Sequence, residues 1–174
     1  MNDPEPVDVT NLDRYGNPVL PWSRPHGQLT AQTPRPDTPF FLGTCRPDGR
    51  PHAAGIGAVW CAGTLYFTSG PGTRKARNLA ANPACTISAR LVDIDLVLDG
   101  EAHRVTDRPT LEEVSARYRA GGWPAEVDGD AYTAPFSAPS AGPPPWHLYR
   151  VSVRTVFGLA TAEPYGGTRW EFRG

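Results

Sequence analysis

Short apolar runs separated by tight turns are the feature that most limits how this chain folds. PFFLGTC and PHAAGIGAVW flank the turn RPDGR, in which Pro-Asp-Gly is typical of a hairpin connection. TLYFTSG, ACTISARL and IDLVLDGEAHRV are further predicted strands, WHLYRVSVRTVFGLATAEP supplies one or two more, and TRWEF closes the chain. This pattern predicts a mainly β, antiparallel, closed barrel of about six or seven strands rather than a doubly wound sheet.

Two helices are predicted between the strands. PGTRKARNLAANP has Thr73 as its N-cap and ends at Asn82, which precedes a proline. The second helix spans Asp107–Arg119, capped by its first residue or by Thr110, and it stops at Gly121.

Prolines divide the chain into an arm, a folded domain and a long loop. Residues 1–36 are predicted to form a proline-rich N-terminal arm, with one short helix after Ser23 and with Trp22 as its anchor on the core. Residues 37–174 are predicted to be a single domain with a Pro-rich loop at 122–145. A loop of that length is a lid, a binding loop or a flexible segment, and the sequence does not choose among these.

Charge and composition argue against several functional classes. The formal net charge of −1 disfavours a broad nucleic-acid surface. No run of 18 apolar residues exists, and MNDPEPVDV lacks the features of a signal peptide, so a cytoplasmic location is predicted. Cys45, Cys61 and Cys85 form no CxxC pair and are expected to be buried reduced thiols. The four histidines show no ligand spacing, so no metal site is predicted.

The segment LYFTSGPGTRKARNL carries the strongest chemical signal. A strand ends in Thr68 and Ser69, a Gly-Pro-Gly turn follows, and Thr73, Arg74 and Lys75 open a helix. Backbone N–H groups at a helix N terminus are unpaired and the helix dipole is positive there, so a phosphate is well held. An arginine binds it bidentately and a lysine adds a point charge. Lys75 is also the only lysine, beside sixteen arginines.

The same segment has a simpler interpretation. Two ordinary surface cations in a solvated first turn would give the same pattern. The segment is not a Walker A loop, because GxxxxGK[ST] is absent. A strand, a glycine turn and a basic helix therefore do not identify the anion by themselves.

A wider stretch of sequence resembles a known family. RPDGRPHAAGIGAVW followed by TLYFTSGPGTRKARNLAANPACTIS is similar to the pyridoxamine 5′-phosphate oxidase-like superfamily of flavin-binding split barrels. Members share a DGRPH-type hairpin, a Phe-Thr strand end, Ser/Thr-Arg-Lys, Asn-Leu and a proline after the helix. The closing TRWEF resembles the Thr-Arg-Trp-x-Phe end of actinobacterial members. The resemblance covers residues 38–105 well and implies a split β-barrel homodimer with two cofactors at the subunit interface.

The resemblance also implies a set of cofactor-binding residues. Those near the DGRPH hairpin would line the flavin ring and ribityl chain, those around the helix would hold the phosphate, and Trp170 and Phe172 would come from the other subunit. Core packing explains those two aromatic residues equally well, and His52 is either a contact to the ring or substrate or a histidine at the barrel rim. The full set is Arg50, His52, Ala53, Ala54, Val59, Trp60, Phe67, Thr68, Ser69, Thr73, Arg74, Lys75, Asn78, Trp170 and Phe172.

The function that follows is a flavin-dependent oxidoreductase acting by hydride transfer on an unidentified small molecule. Flavins carry this chemistry themselves, and no catalytic residue or triad is identified. FMN is favoured because its phosphate dianion suits Arg74 and Lys75. A deazaflavin (coenzyme F420)-dependent reductase is the alternative, and it would need a second basic groove, for which Arg46, Arg77 and Arg90 are candidates. A non-catalytic flavin- or haem-binding protein and a structural dimer with a vestigial site also stay open. Vitamin B6 oxidation is not supported, because the Arg-x-His-type signature is missing.

Overall fold

The computed structural model describes residues 4–32 and 39–173, and these form mainly antiparallel β sheet. The helices are α1 (Ser23–Gln32), α2 (Arg74–Ala81) and α3 (Arg108–Ala120), and a short 3-10 helix spans Pro139–Ala141. The strands are β1 (Asp8–Asn11), β2 (Phe40–Cys45), β3 (Pro51–Ile56), β4 (Ala58–Cys61), β5 (Thr64–Ser69), β6 (Ala84–Arg90), β7 (Ile94–Val105), β8 (Glu126–Asp128), β9 (Ala131–Thr133), β10 (His147–Ala160) and β11 (Gly167–Glu171). The predicted fold class, mainly β and antiparallel with a few helices, is confirmed.

The long strand β10 organises the main sheet. Its first part pairs with β5 and its second part with β11, while β7 lies along its other edge. The strand order is β1-β11-β10-β7-β6-β2-β3, and β5 also pairs with β4. The β10–β7 register shifts between Val153 and Thr155. Such a bulge bends a strand and increases its twist. At this bend β10 exchanges one partner for another, as a split barrel requires.

The predicted number of strands is too low. The described residues form a nine-stranded sheet and a separate two-stranded hairpin, β8–β9. PHAAGIGAVW, predicted as one strand, is broken at Gly57 into β3, which pairs with β2, and β4, which pairs with β5. The Tyr118 hydroxyl donates to the Gly57 carbonyl oxygen across 2.8 Å, so this carbonyl bonds to α3 instead of to a strand. β1 and the β8–β9 hairpin lie in segments that the sequence analysis predicts as an arm and a loop.

The caps predicted for the helices are found in the structure. Thr73 caps α2 and Asn82 follows its last turn. Asp107 rather than Thr110 caps α3, because its carboxylate accepts from the Thr110 backbone N–H at 3.1 Å. α1 begins at Ser23 itself, whereas the prediction placed its start after this serine.

The proline-rich N-terminal segment lies on the barrel. β1 pairs antiparallel with β11. Trp22 and Leu29 are buried in the core, so the predicted anchoring by Trp22 is confirmed. Arg24 adds an ion pair with Asp93 at 2.9 Å. The predicted boundary between residues 36 and 37 falls outside the described residues.

Two apolar clusters fill the molecule. One lies inside the barrel and the other joins β4 and β5 to α3 and the β8–β9 hairpin. Cys61 and Cys85 are buried free thiols, as expected, whereas Cys45 is half-buried. In residues 4–32 and 39–173 no three potential metal ligands cluster. No helix in the same ranges is long and apolar enough to cross a membrane.

Candidate functional site

The N terminus of α2 is tied to the end of β5. The Thr73 Oγ1 atom accepts a hydrogen bond from the Ala76 backbone N–H at 3.2 Å and lies 2.7 Å from the Ser69 Oγ atom. These bonds cap the helix and hold its first turn against the strand. The unpaired N–H groups and the positive end of the helix dipole therefore lie beside the hydroxyl groups that end β5.

The body of α2 is fixed to the sheet through Asn78. Its Nδ2 atom donates to the Thr44 Oγ1 atom of β2 across 2.9 Å, and only 2% of Asn78 is exposed. Thr44 lies directly opposite His52 of β3, and directly paired residues project from the same face of a sheet. Arg74 and Lys75 precede Asn78 by four and three residues, a spacing that places them on the same side of the helix. Both cations therefore lie towards the face that carries His52.

A cluster of positive charge results from this packing. Burial, followed by the charges of Arg46, Arg74 and Lys75, lowers the pKa of His52. Burial also lowers the pKa of Lys75. Within the described residues, no carboxylate forms an ion pair with any of the three cations. In the same part of the chain, the buried Nδ1 atom of His52 and Nε atom of Arg46 have no hydrogen-bond partner. The cluster has an excess of positive charge that an anion would offset.

An apolar cavity of about 420 Å³ opens beside this cluster. Lys75, Thr68 and Ser69 form its polar end. Its remaining walls are the β3–β4 junction, the C-terminal end of α3 and the segment that precedes β10, namely Gly55–Ala58, Gly70, Tyr118, Gly121, Trp123, Phe136–Ala138, Ala141 and Trp146. The volume and the mixture of apolar walls with a few converging polar groups are typical of a site for a small molecule.

Aromatic residues hold the apolar wall in place. The Trp123 Nε1 atom donates to the Phe136 carbonyl oxygen at 2.7 Å, which fixes the backbone there. Trp123 also packs edge-on against Trp146, with ring centroids 5.6 Å apart. Trp146 and Tyr132 exchange two backbone hydrogen bonds of 2.8 and 2.9 Å. The segment 122–145 is therefore folded and forms one wall of the cavity.

Comparison with known proteins identifies the family. The profile of the pyridoxamine 5′-phosphate oxidase family matches residues 30–160, three quarters of the chain. The chain belongs to this family. No functionally curated protein matches the sequence. The resemblance to pyridoxamine 5′-phosphate oxidase-like proteins predicted from the sequence is confirmed.

Solved structures share the fold of this family member. A pyridoxamine 5′-phosphate oxidase-related, FMN-binding protein from Nostoc punctiforme is 18% identical, with a TM-score of 0.58 over 90% of this chain and 92% of that one. An F420 reductase is 23% identical, with a TM-score of 0.50 over 72% and 93%. A haem-binding protein from Mycobacterium smegmatis is 16% identical, with a TM-score of 0.59 over 86% and 59%.

The structure brings together the part of the predicted set that lies around α2. His52, Thr68, Ser69, Thr73 and Lys75 converge with Arg74 at the helix N terminus, and Asn78 lies behind them. Arg50 lies apart, because it is exposed in the β2–β3 turn and pairs with Asp48 at 2.9 Å. Ala53 is exposed and Ala54 is half-buried on β3.

Several members of the predicted set are buried in this oxidase-family barrel. Val59 and Phe67 have no exposed surface and pack in the two apolar clusters. Trp60 and Phe172 line a different cavity, of about 280 Å³, together with Trp22.

Trp170 takes the core position that the sequence analysis gives as the alternative to a cofactor contact. Its side chain is 0% exposed and packs against Trp22 inside its own barrel. A Cβ atom on Gly158 would come within 2.6 Å of the Trp170 ring, so the glycine makes room for it. The side chain is therefore enclosed in its own barrel.

Sequence reasoning missed the apolar wall of the site and considered Arg46 only for a second basic groove. Trp123, Phe136 and Trp146 line the cavity, and Arg46 joins the positive cluster. Two tryptophans at the two ends of a Pro-rich segment are the signal that would have found the apolar wall. Arg46 belongs to the β2–β3 turn, and only the packing of α2 over the hairpin brings Lys75 to the same histidine.

Proposed function

We propose that this chain binds a flavin-type cofactor in the 420 Å³ cavity and acts as an oxidoreductase. The observation that carries the proposal is the position of Lys75. It belongs both to the polar end of the apolar cavity and to a positive cluster without a carboxylate partner among the described residues. A flavin mononucleotide has the matching division into a planar apolar ring and an anionic phosphate.

The phosphate end is assigned to the N terminus of α2. The hydroxyl groups of Ser69 and Thr73, the free backbone N–H groups of the first turn and the Lys75 ammonium group all lie there. Arg74 adds a group able to bind an anion bidentately. The ring end is assigned to the wall made by the β3–β4 junction and Trp123.

The chain's own part in the reaction is binding and enclosure. A bound flavin supplies the hydride chemistry. Among the described residues that line the cavity, only Lys75 and Tyr118 have titratable side chains. The pKa of Tyr118 is raised, mainly by burial, and its hydroxyl already donates to the Gly57 carbonyl oxygen. The lining residues therefore orient the reactants and exclude water, while proton transfer is left to solvent.

FMN is the favoured cofactor because the positive charge is compact. Of the three arginines that would form a second basic groove for coenzyme F420, Arg46 lies in the cluster around His52. Arg90 is engaged in a bidentate pair with Asp95, with two bonds of 2.7 Å. The third of these arginines, Arg77, is exposed on α2 and extends the basic surface there. This extension is the observation that keeps an F420-dependent reductase as the second candidate.

We also propose the homodimer that the family resemblance predicts. The outer face of the sheet carries Phe41, which is 50% exposed, and Leu159, which is 60% exposed. Val97 lies on the same face, between them in the strand order. Exposed apolar residues grouped in this way are typical of an interface.

The first test is the absorbance spectrum of the purified protein, with mass spectrometry of any molecule released on denaturation. A flavin or deazaflavin spectrum supports the class and chooses the cofactor. A colourless protein that binds no added FMN, F420 or haemin overturns the proposal. Sedimentation equilibrium of the same sample should give the mass of two 18.8 kDa chains.

The second test removes the positive charge. The double substitution Arg74→Ala and Lys75→Ala should weaken FMN binding by roughly 2–4 kcal/mol, or about 30- to 700-fold in Kd, because two charged hydrogen bonds are lost. Quenching of flavin fluorescence measures the Kd. Arg108→Ala is the matched control, because this arginine is exposed on α3 and pairs with Glu112 at 2.8 Å. An unchanged Kd in the double variant would show that the phosphate assignment is wrong.

A further inference from the structure

His52 faces the helix that carries the positive cluster. It lies directly opposite Thr44 in the β2–β3 pair, so the two side chains share one face of the sheet. Asn78 of α2 bonds to the Thr44 hydroxyl on that face. The alternation of β3 puts His52, Ala54 and Ile56 on one side, and Ile56 lines the cavity. His52 therefore lies at the cationic end of a strip that leads along β3 to the apolar end.

The charged groups that the described residues place around His52 are all positive. Arg46 approaches from the β2–β3 turn, and Arg74 and Lys75 approach from α2. The carboxylate of the same turn, Asp48, is engaged with Arg50 at 2.9 Å. No described carboxylate influences the imidazole, and its buried Nδ1 atom has no hydrogen-bond partner in the described part of the chain.

We propose that His52 takes up a proton when an anion binds at the N terminus of α2, and that the resulting imidazolium strengthens the binding. The inference deepens the proposed function and rests on it, because the proposed function assigns the cofactor phosphate to the N terminus of α2. The balance is simple: one proton passes from solvent to the imidazole, and no bond is formed or broken in the cofactor.

The direction of the effect follows from the charges. Without an anion, burial and three cations hold the pKa of His52 below 6.5, so the imidazole is neutral near pH 7. A phosphate offsets the cations, and this raises the pKa of the imidazole in the complex. Binding therefore becomes tighter as the pH falls through the pKa of the complex, by at most about tenfold per pH unit, and this effect levels off below the pKa of the free protein.

Calorimetric titration of the purified, cofactor-free protein with FMN tests the inference. Runs at pH 7 in two phosphate-free buffers of different ionisation enthalpy give the number of protons taken up. The wild-type protein should take up a fraction of a proton more than His52→Gln, and its Kd should tighten about 3- to 10-fold more between pH 8 and 6.5. The titration of the FMN phosphate itself is common to both proteins and cancels in this comparison. Equal proton uptake and equal pH dependence in the two proteins would overturn the inference.

Two further arms separate this inference from the proposed function. His103→Gln is the matched control, because His103 is exposed beside Glu101, at 3.3 Å, and should behave as wild type. Proton NMR of the imidazole resonances, titrated with inorganic pyrophosphate, reads the pKa of His52 without a flavin. If FMN does not bind but pyrophosphate raises this pKa, the inference holds and the flavin assignment fails. If FMN binds and the pKa of His52 does not rise with either ligand, the inference alone fails.

Discussion

The two ends of the cavity are assembled from very different stretches of sequence. At the cationic end, Ser69 and Thr73 are four residues apart and their hydroxyl groups hydrogen bond to each other. At the apolar end, the Tyr118 hydroxyl bonds to the carbonyl oxygen of Gly57, 61 residues away. The cationic end is therefore recognisable as a local motif, whereas the apolar end depends on how α3 and the segment 122–145 pack on the barrel.

The two ends also differ in what they contribute to stability. The cationic end gathers like charges in a partly buried place, and burying unpaired charge costs free energy. The apolar end packs Tyr132 against Tyr118 and Trp123, with ring centroids 6.2 and 6.4 Å apart. The apolar end therefore contributes to the stability of the fold, whereas the cationic end costs free energy and is the end to which we assign the anion.

Replacement of Tyr132 tests the apolar end and has the largest expected effect on stability. Tyr132→Ala removes a side chain that is 0% exposed, together with its hydroxyl bond to the Leu111 carbonyl oxygen at 2.7 Å. Loss of a buried aromatic side chain lowers the free energy of unfolding by roughly 3–5 kcal/mol. Urea denaturation followed by tryptophan fluorescence measures this loss.

Two further variants serve as comparisons for Tyr132→Ala. Tyr165→Ala removes the same kind of side chain from a half-exposed position, and its effect should stay within about 0.5 kcal/mol. Tyr132→Phe keeps the ring and should lose roughly 1–3 kcal/mol, because the buried Leu111 carbonyl loses its partner. A loss of about 1 kcal/mol or less in Tyr132→Ala would contradict a well-packed apolar end.

The parts of the fold that were predicted correctly have local signals. The turn RPDGR, the Thr73 cap and the Asp107 cap each specify a backbone conformation within a few residues. The break at Gly57 has no such signal, because a bond from Tyr118 of α3 holds its carbonyl group. β1 was missed for a similar reason. The strand has only four residues, most of them are exposed, and it is held in the sheet by pairing with β11.

The residues of the candidate site likewise divide into those that have a local sequence signal and those that do not. Thr68 to Asn78 could be predicted because strand end, turn and helix start follow one another in the sequence. Trp170 could not be placed, because an aromatic residue near the end of a chain suits both a core and a cofactor contact. Its complete burial, its packing against Trp22 and the space left by Gly158 show that its ring is enclosed in its own barrel. The positions of Trp123 at the cavity and of Arg46 near His52 likewise depend on tertiary packing.

Asn78 fixes the helix of the cationic end to the sheet, so its replacement should affect both the site and the fold. The expected loss of unfolding free energy is smaller than that for Tyr132→Ala. Asn78→Ala removes the amide donor of the buried Thr44 hydroxyl group, whose remaining bond is the one it donates to the His52 carbonyl oxygen at 3.5 Å, and this costs roughly 1–3 kcal/mol of unfolding free energy. Urea denaturation measures the cost. In the double variant with Thr44→Val, the cost of the second substitution should be smaller than its cost alone, because the same bond is lost only once. Strictly additive losses would show that α2 is not fixed to β2 through this contact.

Lys75 gives the smallest expected change in stability and the sharpest contrast with Tyr132. Burial lowers the pKa of Lys75 below 10.5, so the folded protein binds this proton less tightly than the unfolded chain does. The charge therefore opposes folding below the folded-state pKa, and this penalty fades as the pH rises towards 10.5. At pH 8, Lys75→Met should be at least as stable as wild type, and its advantage should shrink by pH 10.5. Urea denaturation of both proteins at the two pH values measures the difference, with Arg108→Met as a non-titrating control. An advantage that grows with pH would mean that Lys75 has a carboxylate partner in the folded protein, and the contrast between a binding end and a stabilising end would then be lost.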